Sequence, residues 1–386
     1  MYYKVEENLE QLYNEIKQWV EKDVKPYANK WEKEMGVLED MIDNCAGTGY
    51  LGALIPKEYG GVGWNHKAFG LLNEAISTSS VSLAELFNVH TMASQALLKF
   101  GNDAQKNYWL PKMAKGEKIA AFALTEPGAG SDMKGIETTF EVFGDKLRIN
   151  GIKRWITYGN RADVFIVFGK LDGKATACIV EKETEGLNVI KIEGMLGFRG
   201  AHLAELKFTN CEIPLENIVG KEGIGFSYVA NYGLQFGRLS VAFTALGILR
   251  GCIENSSAYA LSRKTFSQPL INHDMIKTII ADMGVDFQAS AALCLQAAEA
   301  LDDGSTDSAE KVMSAKYFVS KAAAKHASNA VQILGANGCC DSSEVARYYR
   351  DTKILEVVEG SSQIHQMVLG WKFANKYGRE LRRNYK

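Results

Sequence analysis

The run Val357-Val358-Glu359-Gly360-Ser361-Ser362-Gln363-Ile364 sets one carboxylate between an apolar stretch and two hydroxyls. Gly360 breaks the preceding helical run. Ser361 or Ser362 can then accept a hydrogen bond from the orphan N–H groups of a following helix. Ile364, Met367, Val368 and Trp371 recur at helical spacing beyond it. A carboxylate after two valines, at a bend between helices, is placed to lose water. Desolvation raises its pKa toward the range useful to a general base. The alternative is a solvated charge at a helix end.

Other segments carry polar and aromatic groups in compact runs. Ala121-Phe122-Ala123-Leu124-Thr125-Glu126-Pro127-Gly128-Ala129-Gly130-Ser131-Asp132 is followed by Arg154-Trp155-Ile156-Thr157-Tyr158-Gly159, then by Gly197-Phe198-Arg199-Gly200. Asn210-Cys211-Glu212-Ile213-Pro214-Leu215-Glu216-Asn217-Ile218, Arg263-Lys264-Thr265-Phe266 and Gln332-Ile333-Leu334-Gly335-Ala336-Asn337-Gly338 come after them. With the Glu359 segment, seven motifs in this order along nearly the whole chain resemble the acyl-CoA dehydrogenase family of flavoenzymes. Gly128-Ala129-Gly130 is not a dinucleotide fingerprint, because it lacks the third glycine at the right offset and a βαβ setting.

The resemblance implies FAD and a reaction in which a thioester loses a proton from Cα and a hydride from Cβ to the flavin. Glu359 is then the base, and its backbone N–H, with Gly360, meets the thioester carbonyl. Trp155 packs on the flavin and Thr157 bonds its N5. Phe122, Leu124, Thr125 and Ser131 line the ring and pyrophosphate, Ser131 and Arg238 also facing substrate. Arg263, Thr265, Phe266, Gln332 and Gly335 hold the adenine half across a subunit boundary, and Ser361 and Gln363 touch the cofactor. A dimer or tetramer and an electron-transfer partner or other acceptor follow from the same likeness. Taken singly, Trp155 and Phe122 fit a core, Thr125 and Ser131 fit turn caps, and Arg263 fits a surface pair. His202 and His365 read as satisfied structural histidines, and Cys339-Cys340 as packing.

Some branches of the family carry the base just before the arginine that corresponds to Arg238. That position is Gly237 here, which leaves Glu359 as the base. The commonest pattern has Tyr before the glutamate and Thr after its glycine, where this chain has Val358 and Ser361. Glu356-Val357-Val358-Glu359-Gly360-Ser361-Ser362, with Gln235-Phe236-Gly237-Arg238-Leu239-Ser240-Val241-Ala242 and Gly247-Ile248-Leu249-Arg250, resembles a subgroup acting on acyl carrier protein thioesters. Those enzymes make hydroxymalonyl or aminomalonyl polyketide extender units. A short polar acyl group on a phosphopantetheine arm is the implied substrate, with a CoA thioester the alternative. Arg199 and Arg238 are the first candidates to meet an acidic carrier protein.

Three blocks must position these residues. The first ~115 residues have helical periodicity, with a stripe of Leu9, Leu12, Tyr13, Ile16 and Val20. From about Ile119 short alternating runs take over, and Asp172-Gly173 between two apolar runs is a hairpin signal. After Gly225 the helical period returns to the C-terminus, with Ile276, Ile280, Met283 and Phe287 on one stripe. The order is that of a segregated α+β chain. The resemblance assigns 1–117 to an N-terminal helical domain, 118–222 to a flavin-binding β-barrel or sandwich, and 223–386 to a C-terminal four-helix bundle.

Composition narrows the rest. The 44 Lys and Arg nearly balance 46 Asp and Glu, so no charge favours nucleic acid. No run approaches ~18 consecutive apolar residues, which indicates no membrane span. The polar, acidic start is unlike a secretory leader. The seven scattered cysteines form no disulfide framework and fit a reduced cytoplasm. The six histidines have no metal-ligand spacing, so no metal is expected.

Overall fold

The computed structural model describes residues 2–379. Met1 and residues 380–386, to which the helical period was expected to extend, lie outside the described residues. Six helices come first: α1 (Glu7–Trp19), α2 (Lys25–Glu34), α3 (Glu39–Thr48), α4 (His66–Ser77), α5 (Val81–Phe100) and α6 (Asp103–Ala114). The hydroxyl of Ser80 caps α5 by accepting from the Leu83 N–H, and Asn102 with Gln105 forms a reciprocal capping box on α6. α5 is buried from Val81 to Leu97, so it is an interior helix that both neighbouring blocks share.

The middle block is a seven-stranded sheet: β1 (Ala120–Ala123), β2 (Thr139–Phe143), β3 (Lys146–Ile156), β4 (Val164–Leu171), β5 (Lys174–Glu181), β6 (Leu187–Lys191) and β7 (Ala204–Pro214). β4 is almost wholly buried, which explains its unbroken apolar run. It pairs with β5 along its whole length, and with β1 and then β2 in parallel. Asp172 and Gly173 both have positive φ, the two-residue hairpin geometry expected of Asp-Gly. β3 pairs with β7 but slips register twice, once between Lys153 and Ile156. That second slip is a bulge, and it turns Trp155 out of the ladder.

The last block is α7 (Asn231–Ser262), a short hairpin of β8 (Lys264–Thr265) and β9 (Gln268–Pro269), then α8 (Asp274–Asp302), α9 (Ser308–Leu334), α10 (Glu344–Leu355) and α11 (Ser362–Gly378). α7, α8 and α9 pack on one another, and α10 closes on α7 and α9. α7 and α8 are long and apolar enough to cross a membrane by length and hydropathy alone. The most apolar window of α7, extended back to Gly225, is 89 % buried, so α7 is the core axis of the bundle, whereas that of α8 is 28 % buried. Two details concern the segment around Glu359. The helical run before Glu359 ends at Leu355, short of Gly360, and the carboxylate sits in the bend expected between two helices. The α11 stripe does not enter a core in this chain, because Met367 and Trp371 are exposed while His365 and Leu369 are buried.

Candidate active site

Glu359 occupies the turn 356–360 between α10 and α11. Its φ of 56° lies in the left-handed region, where a residue with a Cβ is strained. Gly360 follows at φ 94°, and Ser361 caps α11 by accepting from the Ile364 N–H. Two cations hold the turn. Arg238 Nε of α7 donates to the Glu359 carbonyl at 3.1 Å, and Lys316 Nζ of α9 donates to the Gly360 carbonyl at 2.8 Å. The Glu359 N–H has no partner among the described residues.

The carboxylate itself rests against α7 where Gly237 leaves room. A Cβ on Gly237 would lie 2.8 Å from Glu359 Cδ and Oε2, and 2.7 Å from Met92 Sδ of α5. Burial pushes the Glu359 pKa up to about 7, against the pull of Arg238 and Lys316. Burial also lowers the Lys316 ammonium to about 8. The group is therefore a carboxylate poised near neutrality, the state a general base needs.

His365 was expected to be satisfied, and it is not. It is fully buried, neither ring nitrogen makes a well-formed hydrogen bond, and burial with Lys316 and Arg238 nearby lowers its pKa to about 3, against a weak backbone contact with Glu359 that raises it. It stays neutral beside Gly360, whose missing side chain leaves space for the ring. His202 does have a partner, the Val37 carbonyl at 2.8 Å.

The two middle-block segments meet. Arg154 N–H donates to the Thr125 carbonyl at 2.9 Å, and Lys153 Nζ to the Leu124 carbonyl at 3.0 Å. Below them Lys153 and Glu126 form a buried pair at 2.7 Å, and the same carboxylate accepts from the Thr138 hydroxyl and from the Thr138 and Glu137 N–H groups. Glu126 and Lys153 carried no role in the sequence reading, and neither did Lys316. The available signal was a charge at a core position, as in Val312-x-x-Ala315-Lys316-x-x-Val319.

Trp155 is 45 % exposed with φ 63° at the β3 bulge. The hydroxyls of Thr125, Ser131 and Thr157 have no protein partner among the described residues. A strained, exposed aromatic plane and three free hydroxyls on segments joined in this way are groups that could hold a flavin ring and pyrophosphate. Phe122 faces inward, its ring 4.7 Å from Phe168 and pressed against Gly233, with 8 % exposure left.

The remaining predicted residues lie elsewhere. Arg263 is exposed, Thr265 contacts His273, and Phe266 stands 92 % exposed at the tip of the β8–β9 hairpin. Gln332 and Gly335 are exposed at the C-terminal end of α9, and Gln363 is exposed on α11. Cys339 and Cys340 are exposed, not packed, and the Ser342 hydroxyl bonded to Cys340 lowers that thiol's pKa. Arg238 is held inside by the Glu359 carbonyl and is no docking cation. Arg199 is half-buried with Nε on the Met195 carbonyl. Among the described residues no three His, Cys, Asp or Glu side chains could hold a metal ion.

Three family models match the chain in order: the acyl-CoA dehydrogenase N-terminal domain over residues 6–117, the middle domain over 121–211 and the C-terminal domain over 223–372. The chain belongs to the acyl-CoA dehydrogenase family. It is 35 % identical to an acyl-CoA dehydrogenase of Bacillus subtilis, over 92 % of this chain and 94 % of that one. It is 33 % identical to the human mitochondrial short-chain specific acyl-CoA dehydrogenase, over 96 % and 91 %. The butyryl-CoA dehydrogenase of Megasphaera elsdenii superposes with a TM-score of 0.93 at 30 % identity, covering 97 % of this chain and all of that one. Two further structures come from carrier-protein or extender-unit chemistry. The prolyl acyl carrier protein oxidase AnaB has a TM-score of 0.90 at 27 % identity, over 96 % and 100 %. FkbI, from methoxymalonyl extender-unit biosynthesis, has a TM-score of 0.86 at 27 % identity, over 93 % and 98 %.

As a family member the protein is an FAD-dependent oxidoreductase acting on a CH–CH bond of an acyl thioester. Bound FAD supplies the hydride acceptor. The protein's own part is to orient that group, exclude water and remove a proton.

Proposed function

We propose that the protein oxidises a short polar acyl thioester on a phosphopantetheine arm, with an acyl carrier protein as bearer. The carrying observation is the seat of Glu359. A carboxylate with a pKa near 7 sits in the gap of Gly237, on a turn fixed by Arg238 and Lys316. Glu359 takes the Cα proton. Its free N–H meets the thioester oxygen as negative charge builds there, the usual demand on an acyl-thioester site. Trp155, Thr157, Thr125 and Ser131 face the flavin, while Arg263, Phe266, Gln332 and Gly335 wait on a neighbouring subunit's adenine half. A dimer or tetramer in the cytoplasm, passing electrons to a partner protein or other acceptor, completes the reading.

The likeness to AnaB and FkbI, and the Val358 and Ser361 departures, support the carrier-protein bearer. The B. subtilis and human relatives favour a second reading, an ordinary short-chain acyl-CoA dehydrogenase. Mass spectrometry after incubation with matched acyl-carrier-protein and acyl-CoA thioesters separates the two. Faster loss of two hydrogens from the carrier-bound acyl group, slowed by added salt, is expected. Equal or faster turnover of butyryl-CoA, with no salt effect, selects the second reading.

A further inference from the structure

α5 and α7 run antiparallel. Phe100 meets Tyr232 with ring centroids 5.6 Å apart, and eight residues back along α5 Met92 meets Gly237, five residues forward along α7. Met92 marks the level of the Glu359 carboxylate. Continuing along α5 from that level, Asn88 and Glu85 follow one and two turns away on the same helix face, about 6 and 10 Å along the axis. Continuing along α7 by two turns reaches Thr244.

These three side chains share one property. Glu85, Asn88 and Thr244 are fully buried, and each has an oxygen without a hydrogen-bond partner: Glu85 Oε1, Asn88 Oδ1 and Thr244 Oγ1. Asn88 Nδ2 donates to Glu85 Oε2 at 2.9 Å, which joins the first two into one unit and leaves their outer oxygens free. A buried polar atom without a partner is destabilising, because it has given up water for nothing. All three lie within about two turns of the level of the catalytic carboxylate, and buried polar groups of this kind ordinarily have a partner.

We infer that Glu85, Asn88 and Thr244 form a polar recognition site for the far end of the acyl chain, taking a hydroxyl or amino group remote from the reacting carbons. This rests on the acyl-thioester reading above and adds to it the chemistry of the acyl tail. The donors and acceptors match. Burial, with the charges of Glu359 and Asp351, raises the Glu85 carboxyl to about 8, so at neutral pH it carries a proton to donate. Asn88 Oδ1 accepts, and the Thr244 hydroxyl does either. A purely alkyl tail leaves all three unpaired, the asymmetry by which sites reject an analogue lacking a polar group.

The test uses FAD-loaded enzyme without oxygen and follows flavin bleaching by 4-hydroxybutyryl, 4-aminobutyryl and butyryl pantetheine thioesters. The wild type should bleach faster with the better polar substrate than with butyryl, by tenfold or more in kcat/KM. Glu85→Leu and Thr244→Val should each shrink or reverse that ratio, while Glu85→Gln should largely keep it for the hydroxyl substrate. The ratio is read within one variant, so a general loss of stability does not imitate the effect. A wild type that prefers butyryl, or variants that slow all substrates equally, overturns the inference while leaving the acyl-thioester reading intact. If no thioester bleaches the wild type, that reading falls and the inference with it.

Discussion

The carboxylate of Glu359 fills the space that a side chain at Gly237 would take, with a Cβ there only 2.8 Å from its Oε2. The two positions are 122 apart in sequence and act as one site. Gly237→Ala should therefore push the carboxylate off its seat without touching the flavin residues. Misplacing a reacting group by about 1 Å costs on the order of 10²-fold in rate. Stopped-flow bleaching with flavin content unchanged is the check; a rate within twofold of wild type would contradict it.

Glu359→Gln keeps shape and removes the base. Turnover should fall by about 10²–10⁴-fold while the protein stays folded and yellow. Full activity in this variant would assign the proton to another group.

The pH profile follows from the Glu359 pKa. The base works ionised, so the reductive rate should rise through pH 7 and level off above it. Lys316→Met deletes a cation that lowers this pKa, so the midpoint should move to higher pH. The same shift bears on stability. The folded carboxyl binds its proton more tightly than the usual 4.5, so its stabilising contribution is whole below pH 4.5 and fades as pH rises through 7. Glu359→Gln should accordingly gain melting temperature over wild type at pH 8 and gain little at pH 4.5.

Lys153→Met leaves the Glu126 carboxylate buried without its cation. Breaking one side of a buried pair typically costs about 3–5 kcal/mol. The melting temperature should drop, and FAD should be lost more readily because Leu124 and Glu126 lose their side-chain tie to the strand carrying Trp155. Thermal denaturation with flavin fluorescence reads both.

Phe266→Ser should weaken assembly and FAD retention together, since a 92 % exposed phenylalanine at a hairpin tip has no use in the isolated chain. Light scattering that shows an FAD-loaded monomer in the wild type would count against it.

The three-block order and most elements were legible because periodicity changes sharply at Ile119 and Gly225. The Asp172-Gly173 hairpin and the Ser361 cap were legible for local reasons, since turn and cap chemistry acts within four residues. The bend that carries Glu359 was legible through its motif. What holds it was not. Gly237, Met92, Arg238 and Lys316 come from three helices, and only packing brings them to one carboxylate. The failure with His365 has the same origin, because hydrogen-bond satisfaction is a property of neighbours that sequence spacing does not list.

The thiols offer a different handle. Cys45, Cys178, Cys211, Cys252 and Cys294 are sealed in the interior, and Cys339 and Cys340 alone meet solvent. A maleimide applied to the native protein therefore reacts at one dipeptide, four residues beyond Gly335. Counting reacted sulfurs from two toward seven then measures how far the chain has opened, with no engineered label.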